Sequence, residues 1–306
     1  MALIALLVAL VAQSAWPLPA RSPVTAFYGR LCLSAAKRLN AGDRHSGVLA
    51  WFALVGLVLV PVALVSWLAA ALHPVVLLAL EALVAYGSIG FLRTASQVGA
   101  IEKALREGDV AGASRRLGEW QGESPGTLEP GALARLAAEQ GLREAHHGSF
   151  GPLFWWLVLP GPLGLVLYPL AHRAARLWGH PADREDGEFG AFARRAFELV
   201  DWLPQRVTAF VFAIVGDFED AMLCWREQAA RWLRPEEGIV LASGAGALGV
   251  RLGDALERDG GPVERPVLGT GEPAGEDALA SLEGLLGRAL VLWLVACLLA
   301  AAAATF

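Results

Sequence analysis

Apolar residues run almost unbroken from Val48 to Leu72, interrupted only by Pro61, and resume from Val75 to Leu92 after a His73-Pro74 step. A helix needs about 20 apolar residues to cross a bilayer, so these runs predict a transmembrane hairpin. The opening run, Met1 to Trp16, fits either a span or a signal peptide cut near Ser14. It has no Lys or Arg ahead of its apolar core, where a secretory segment carries its charge, and it is read as a retained span. Phe150 to Leu170 is apolar but broken by Pro160-Gly161-Pro162, which predicts a kinked or re-entrant helix. A last apolar run closes the chain as an anchor.

Between these runs the periodicity is helical. Ile101, Ala104 and Leu105, then Ala111, Leu117 and Trp120 beyond a Gly-Asp break, predict helix, turn, helix. The stretch from Ala132 to His147 is helical in spacing too. In residues 187–232, Phe189, Phe192, Ala193, Ala196 and Phe197 form one apolar face; Pro204 ends that pattern, and Val207 to Val215 follows as a piece too short to cross. No alternation of strand type stands out. The expected fold is all-α: a polytopic integral membrane protein with transmembrane helices, a broken or re-entrant helix and cytoplasmic amphipathic helices. Its segments are 1–92 (transmembrane, with the hairpin), 93–149 (cytoplasmic helices), 150–253 (a membrane-associated core), 254–285 (a flexible loop rich in Gly and Pro) and 286–306 (the anchor).

Composition supports a lipid bilayer as partner. Of 306 residues, 55% are hydrophobic and 18% charged, more apolar than soluble domains are. The net charge of -5 argues against nucleic acid. Residues 17–47 carry Arg21, Arg30, Lys37, Arg38 and Arg44 against Asp43, which places that loop in the cytoplasm and the N-terminus outside. The hairpin returns residues 93–149 to the cytoplasmic side. A single crossing at Leu170 would export Arg173, Arg176, Arg184, Arg194, Arg195 and Arg206, so a re-entrant element is preferred. Cys32, Cys224 and Cys297 are scattered and form no disulfide framework or zinc motif. Trp16, Trp51, Trp67, Trp155, Trp156 and Trp293, near span ends, suit interfacial anchoring.

Several constellations have chemical potential. Glu144 and His147 are three apart, on one helical face, a pairing suited to acid–base work or a metal; the alternative is a helix C-terminus stopped by Gly148. Asp217 and Asp220 have the spacing to hold Mg2+, or to cap and complement a helix N-terminus. Glu81, within the second hairpin helix, is expected to face protein, with Tyr86 and Ser88 as partners. The run "ASGAGALGVRLG", Ala242 to Gly253, has no GK[ST] and is not a P-loop. Its small residues Ala242, Gly244, Gly246 and Gly249 permit close helix packing.

"GPLFWWLVLPGPLGLVLYPL", "FGAFARRAFELVDWLPQRVTAFVFAIVG" and "ASGAGALGVRLG" followed by "RPVLGTGEP" occur in one order. Together they resemble the CobD/CbiB family, the adenosylcobinamide-phosphate synthase family, over roughly residues 90–275. The glycine-rich motif is the most specific match. The resemblance implies a bacterial inner-membrane enzyme of cobalamin biosynthesis that joins a corrinoid carboxylate to aminopropanol phosphate with ATP and Mg2+. It implies Arg206 on phosphate, Asp201 as catalytic and able to hold Mg2+, and Gly244, Gly246, Gly249 and Arg251 beside substrate; spacing alone adds Glu144 and His147 as catalytic candidates and Asp217 and Asp220 as metal candidates. The family's "GRDT", "AEN" and "NTLDSM" elements are replaced here by "GESPGTLEPG", "REAHHGS" and "AHRAARLW". "EAH" before "PLFWW", "LVDWLP" and "FAIVGDFEDA" resemble the related AmpE family, which implies a non-catalytic signalling protein without cofactor. Association with a second copy stays open.

Overall fold

The computed structural model describes residues 2–19, 22–126, 128–178, 188–258 and 261–303. Arg21 and Arg184 lie outside the described residues. In chain order the helices are α1 (Ala2–Ala15), α2 (Pro23–Leu39), α3 (Arg44–Leu72), α4 (Pro74–Ser88), α5 (Phe91–Arg106), α6 (Val110–Gln121), α7 (Pro130–Ala145), α8 (Gly151–Val158), α9 (Leu163–Trp178), α10 (Phe189–Val215), α11 (Phe218–Gln228), α12 (Pro235–Leu248) and α13 (Glu276–Ala303). Short strands β1 (Val250–Leu252), β2 (Leu256–Arg258), β3 (Gly261–Val263), β4 (Leu268–Gly269) and β5 (Glu272–Pro273) precede α13.

The hairpin forms as its pattern predicts. Asp43 caps α3 through Ser46 N–H at 2.8 Å. Two hydrogen bonds from Ser46 hold that exposed carboxylate below its ordinary range. At the turn His73 leaves the helix, and its Nδ1 accepts from Val75 N–H at 3.2 Å to start α4. Among the described residues three helical stretches are long and apolar enough to cross a membrane: Arg44–Leu72, Pro74–Arg106 and Glu276–Leu299. Only 11% of the apolar window of Arg44–Leu72 is buried within the protein. Its exposed Leu57, Val60, Leu64 and Trp67 form the kind of surface a hydrocarbon environment satisfies. The last helix begins at Glu276, ten residues before the segment expected as the anchor.

The chain folds as two compact units, each drawn from separate stretches of the sequence. The first comprises Met1–Gly90, His147–Pro204 and Ala296–Phe306. Its core joins α2, α3, α9 and the first half of α10: Tyr28, Cys32, Leu54, Tyr168, Leu170, Trp178 and Phe197 are all buried. Gly47 lets α3 meet the backbone of Phe189, where a Cβ would overlap the carbonyl. Trp178 Nε1 donates to Cys32 O at 2.9 Å. Trp16 and Trp67 are exposed as an interfacial role requires, but Trp51 and Trp156 are buried in this unit. Trp51 meets Phe192 edge-on at 5.6 Å, a packing role that period alone does not reveal.

Side chains complete helix ends in this unit. Gln13 Nε2 on α1 donates to Tyr86 O at 2.8 Å and Ile89 O at 2.7 Å, satisfying carbonyls at the end of α4. Tyr86 Oη returns the favour to Trp16 O at 2.8 Å, beyond α1. Tyr28 takes Ser88 as its hydrogen-bond partner, so neither residue expected beside Glu81 fills that role. Glu81 is buried, and its Oε2 has no hydrogen-bond partner.

Proline does not end α10. Pro204 cannot donate to Val200 O, the carbonyl one turn back. Trp155 Nε1 donates to that oxygen instead, at 3.0 Å. The helix therefore continues, and Val207–Val215 is its last part rather than a separate piece. The Pro160-Gly161-Pro162 break does separate α8 from α9, with Gly161 at φ +58.

The second unit comprises Phe91–His146 and Gln205–Val295. Asp109 caps α6 at Gly112 N–H, 2.8 Å, and Gly122, at φ +86, ends it. Residues 254–285, read from sequence as a flexible loop, contribute β2 to β5: with β1 they form a small sheet of order β4-β1-β5, β1 antiparallel to β4 and parallel to β5, and an antiparallel β2–β3 pair. The strands are two or three residues long, too short for alternation to show. Gln228 of α11 holds β4 from the side: its Nε2 donates to Gly269 O at 3.2 Å and its Oε1 accepts from Gly269 N–H at 2.6 Å.

The glycines of α12 are packing residues. A Cβ at Gly246 would overlap the backbone of Asp220 and Ala221, and one at Gly244 would meet the Leu142 side chain. Gly249 ends the helix in the left-handed region at φ +65. Gly246→Ala is expected to lower stability by about 1–3 kcal/mol, because backbone cannot yield as a side chain can. That cost outweighs the helix-propensity gain of about 1 kcal/mol. Gly131→Ala, with nothing near its added methyl, should be neutral or stabilising by up to about 1 kcal/mol. Thermal unfolding of the two variants in detergent tests the contrast, and equal midpoints would refute it.

Candidate functional site

In the first unit, three helical segments bring a carboxylate, a phenol and an imidazole into one line. The chain leaves α7 through a π-helical turn, His146–Phe150, before α8. Such single wide turns insert an extra residue and re-aim the side chains they carry. Gly90 N–H donates to Gly148 O at 2.7 Å, satisfying a carbonyl that the wide turn frees. His147 projects from this turn, with Nδ1 3.0 Å from Tyr168 Oη of α9. Tyr168 Oη donates in turn to Asp201 Oδ1 of α10 at 2.7 Å.

Tyr168 is wholly buried and Asp201 is 1% exposed. Burial first, and the Asp201 carboxylate second, push the phenol well above its ordinary value, so it stays protonated. The line is walled by rings. His172 stacks on His147 at 4.2 Å with 21° between planes. Phe197 lies 5.0 Å from His172 and 5.4 Å from Tyr168. Gly151 is required here, because a Cβ would overlap the Tyr168 ring. Ser149, on the same turn as His147, is buried with its Oγ lacking a hydrogen-bond partner.

Of the residues expected in a site, the structure thus joins His147 and Asp201, with Tyr168 between them. Sequence reasoning missed Tyr168 and His172. The available signal was a tyrosine inside the apolar run of α9, since a buried phenol needs a partner for its hydroxyl.

The other expected residues belong to the second unit. Glu144 accepts from Gln140 Nε2 at 3.3 Å along α7. Neighbouring His146 meets Thr208 Oγ1 of α10 at 2.9 Å. Arg206 is half-buried on α10. Arg251 lies on β1, its buried Nε without a hydrogen-bond partner. Gly244, Gly246 and Gly249 serve the packing and capping described above.

Asp217 and Asp220, expected on a metal, stand at the start of α11. Asp217 caps α11, accepting from Asp220 N–H at 3.0 Å, and Asp220 Oδ2 accepts from Thr270 Oγ1 at 2.9 Å. Each carboxylate therefore has an oxygen committed to the fold. The pair also belongs to no cluster of three metal-binding groups among the described residues. The cysteines are buried, and burial pushes the Cys32 thiol up to about 12 and raises Cys224, as inert fillers require.

Residues 3–285 match the family described as CobD/Cbib protein. The chain belongs to the CobD/Cbib family. It is 34% identical over 249 residues to a cobalamin biosynthesis protein CobD of Chromobacterium violaceum, covering 81% of this chain and 79% of that one. A CobD of Stutzerimonas stutzeri is 34% identical over 257 residues, 83% of this chain and 82% of the relative. One from Rhodobacter capsulatus is 31% identical over 266 residues, 82% and 83% respectively. No solved structure matches.

The second unit of this CobD/Cbib chain also holds a charged pair with a structural role. Glu139 and Arg265 meet at 2.7 Å with side chains 1% and 9% exposed, and Glu139 Oε1 accepts from Gly253 N–H at 3.1 Å. Together they tie α7 to the loop after β1. Glu139→Ala would strand the Arg265 charge and is expected to cost about 3–5 kcal/mol, whereas Glu139→Met with Arg265→Met should recover most of it. Unfolding curves for the single and double variants measure this; a harmless single variant would show that the pair ties nothing.

Proposed function

We propose that this chain is an inner-membrane enzyme of cobalamin biosynthesis that joins a corrinoid carboxylate to the amine of aminopropanol phosphate. Family membership supports the pathway, and the names of its relatives point the same way. The observation that carries a catalytic reading is the buried Asp201–Tyr168–His147 line. An imidazole has an ordinary pKa of about 6.5, suited to exchanging protons near neutrality. A buried carboxylate that serves only as ballast would be a costly way to fill a core.

The chemistry has two stages. The corrinoid carboxylate takes the terminal phosphoryl group of ATP, supplied as its Mg2+ complex, and ADP leaves. The substrate ammonium then gives one proton to His147, which makes its nitrogen nucleophilic. That nitrogen forms the C–N bond as the C–O bond to phosphate breaks. The second proton leaves with the departing hydrogen phosphate, and His147 returns its own to solvent. Asp201 stabilises the charged imidazolium through the phenol. Arg206, in the second unit, carries the planar guanidinium that suits pairing with a phosphate. The basic residues Arg30, Lys37 and Arg38 of α2 support a cytoplasmic position for that helix, where ATP is found.

The test is complementation of a strain lacking adenosylcobinamide-phosphate synthase. The wild-type chain should restore cobalamin-dependent growth. His147→Gln and Asp201→Asn should abolish it at unchanged membrane abundance, with amide formation in isolated membranes reduced by roughly 10²–10⁴-fold. Absence of growth with the wild-type chain well expressed in the membrane would discard the ligase and leave the non-catalytic, AmpE-like reading.

A further inference from the structure

Asp201, Tyr168 and His147 share two hydrogen bonds, and the protons available for them are few. An ionised carboxylate only accepts. The phenol has one hydrogen, and its 2.7 Å contact with Asp201 uses it. The phenol oxygen can then meet His147 Nδ1, at 3.0 Å, only as an acceptor. Nδ1 therefore holds the imidazole hydrogen, and in the neutral ring the basic lone pair is on Nε2.

We propose that Tyr168 is a positioning residue: by passing the charge of Asp201 to His147 Nδ1, it fixes the imidazole with Nε2 as the proton-accepting atom. The role in turnover rests on the ligation proposed above; the tautomer itself does not. The surroundings hold the geometry in place. His172 stacks on the His147 ring and holds its plane. Phe197 contacts Tyr168, His147 and His172 together. Gly151 leaves the space that the phenol occupies, so the hydroxyl reaches both partners only while residue 151 has no side chain. A hydroxyl between acid and imidazole makes a longer relay than direct contact, and it lets a deeply buried carboxylate act on a half-exposed ring.

The experiment uses the full chain in lipid nanodiscs with 15N-labelled histidine. The His147 signals are assigned by difference from His147→Gln. The wild type should show protonated Nδ1 and unprotonated Nε2. Tyr168→Phe, which keeps the ring and removes only the hydroxyl, should convert His147 to a mixture of tautomers. Gly151→Ala should do the same with Tyr168 intact. In the amide-forming assay, Tyr168→Phe should lower kcat by about 10²-fold or more while KM for the amine changes little. Protonated Nε2 in the wild type, or a tautomer unmoved by Tyr168→Phe, would overturn the proposal. A wild type with the expected tautomer but no amide product would refute the ligase and leave the relay standing.

Discussion

A backbone carbonyl without a donor is expensive where water is scarce, and most of the local architecture answers that constraint. Pro204 would leave Val200 O stranded, and the Trp155 indole takes the missing place. The end of α4 exposes Tyr86 O and Ile89 O, and one glutamine from α1 serves both. The wide turn before α8 frees Gly148 O for Gly90 N–H. The same requirement governs side chains. Tyr168, wholly buried, needs partners for its hydroxyl, and those partners set a core tyrosine between a carboxylate and an imidazole.

The sequence makes plain those parts of the fold that follow from nearest neighbours. The hairpin is legible because two apolar runs flank a His-Pro step, and α6 because Asp109 opens it and Gly122 closes it. What escapes sequence reading depends on distant partners. Nothing near Pro204 shows that Trp155, far back in the chain, will carry α10 through it. The strands of residues 250–273 have too few positions to show a period, and tertiary ties to α7 and α11 hold them. Trp51 and Trp156 are read as interfacial from their positions near span ends, and only packing reveals that they are buried.

The site divides in the same way. His147 and Asp201 stand out as polar groups among apolar residues, and their pairing through Tyr168 joins elements far apart in sequence. Asp217 and Asp220 show how one spacing serves two purposes: an acid at the first position of a helix and another a turn later suit a cation as well as a cap. Here Asp217 binds a backbone amide and Asp220 a threonine, so the helix end uses this spacing. The glycine-rich run that ties the chain to its family likewise works through absent side chains, bringing α12 against the backbone of Asp220.

The hold that Gln228 takes on Gly269 has a consequence beyond fixing β4. A primary amide has a donor and an acceptor spaced much as a peptide group does. The side chain thus imitates one residue of a neighbouring strand, at the sheet edge that β4 forms. Open edges recruit extended segments from other molecules. One helical glutamine closes this edge with a counterfeit strand and spares the protein the addition of a real one.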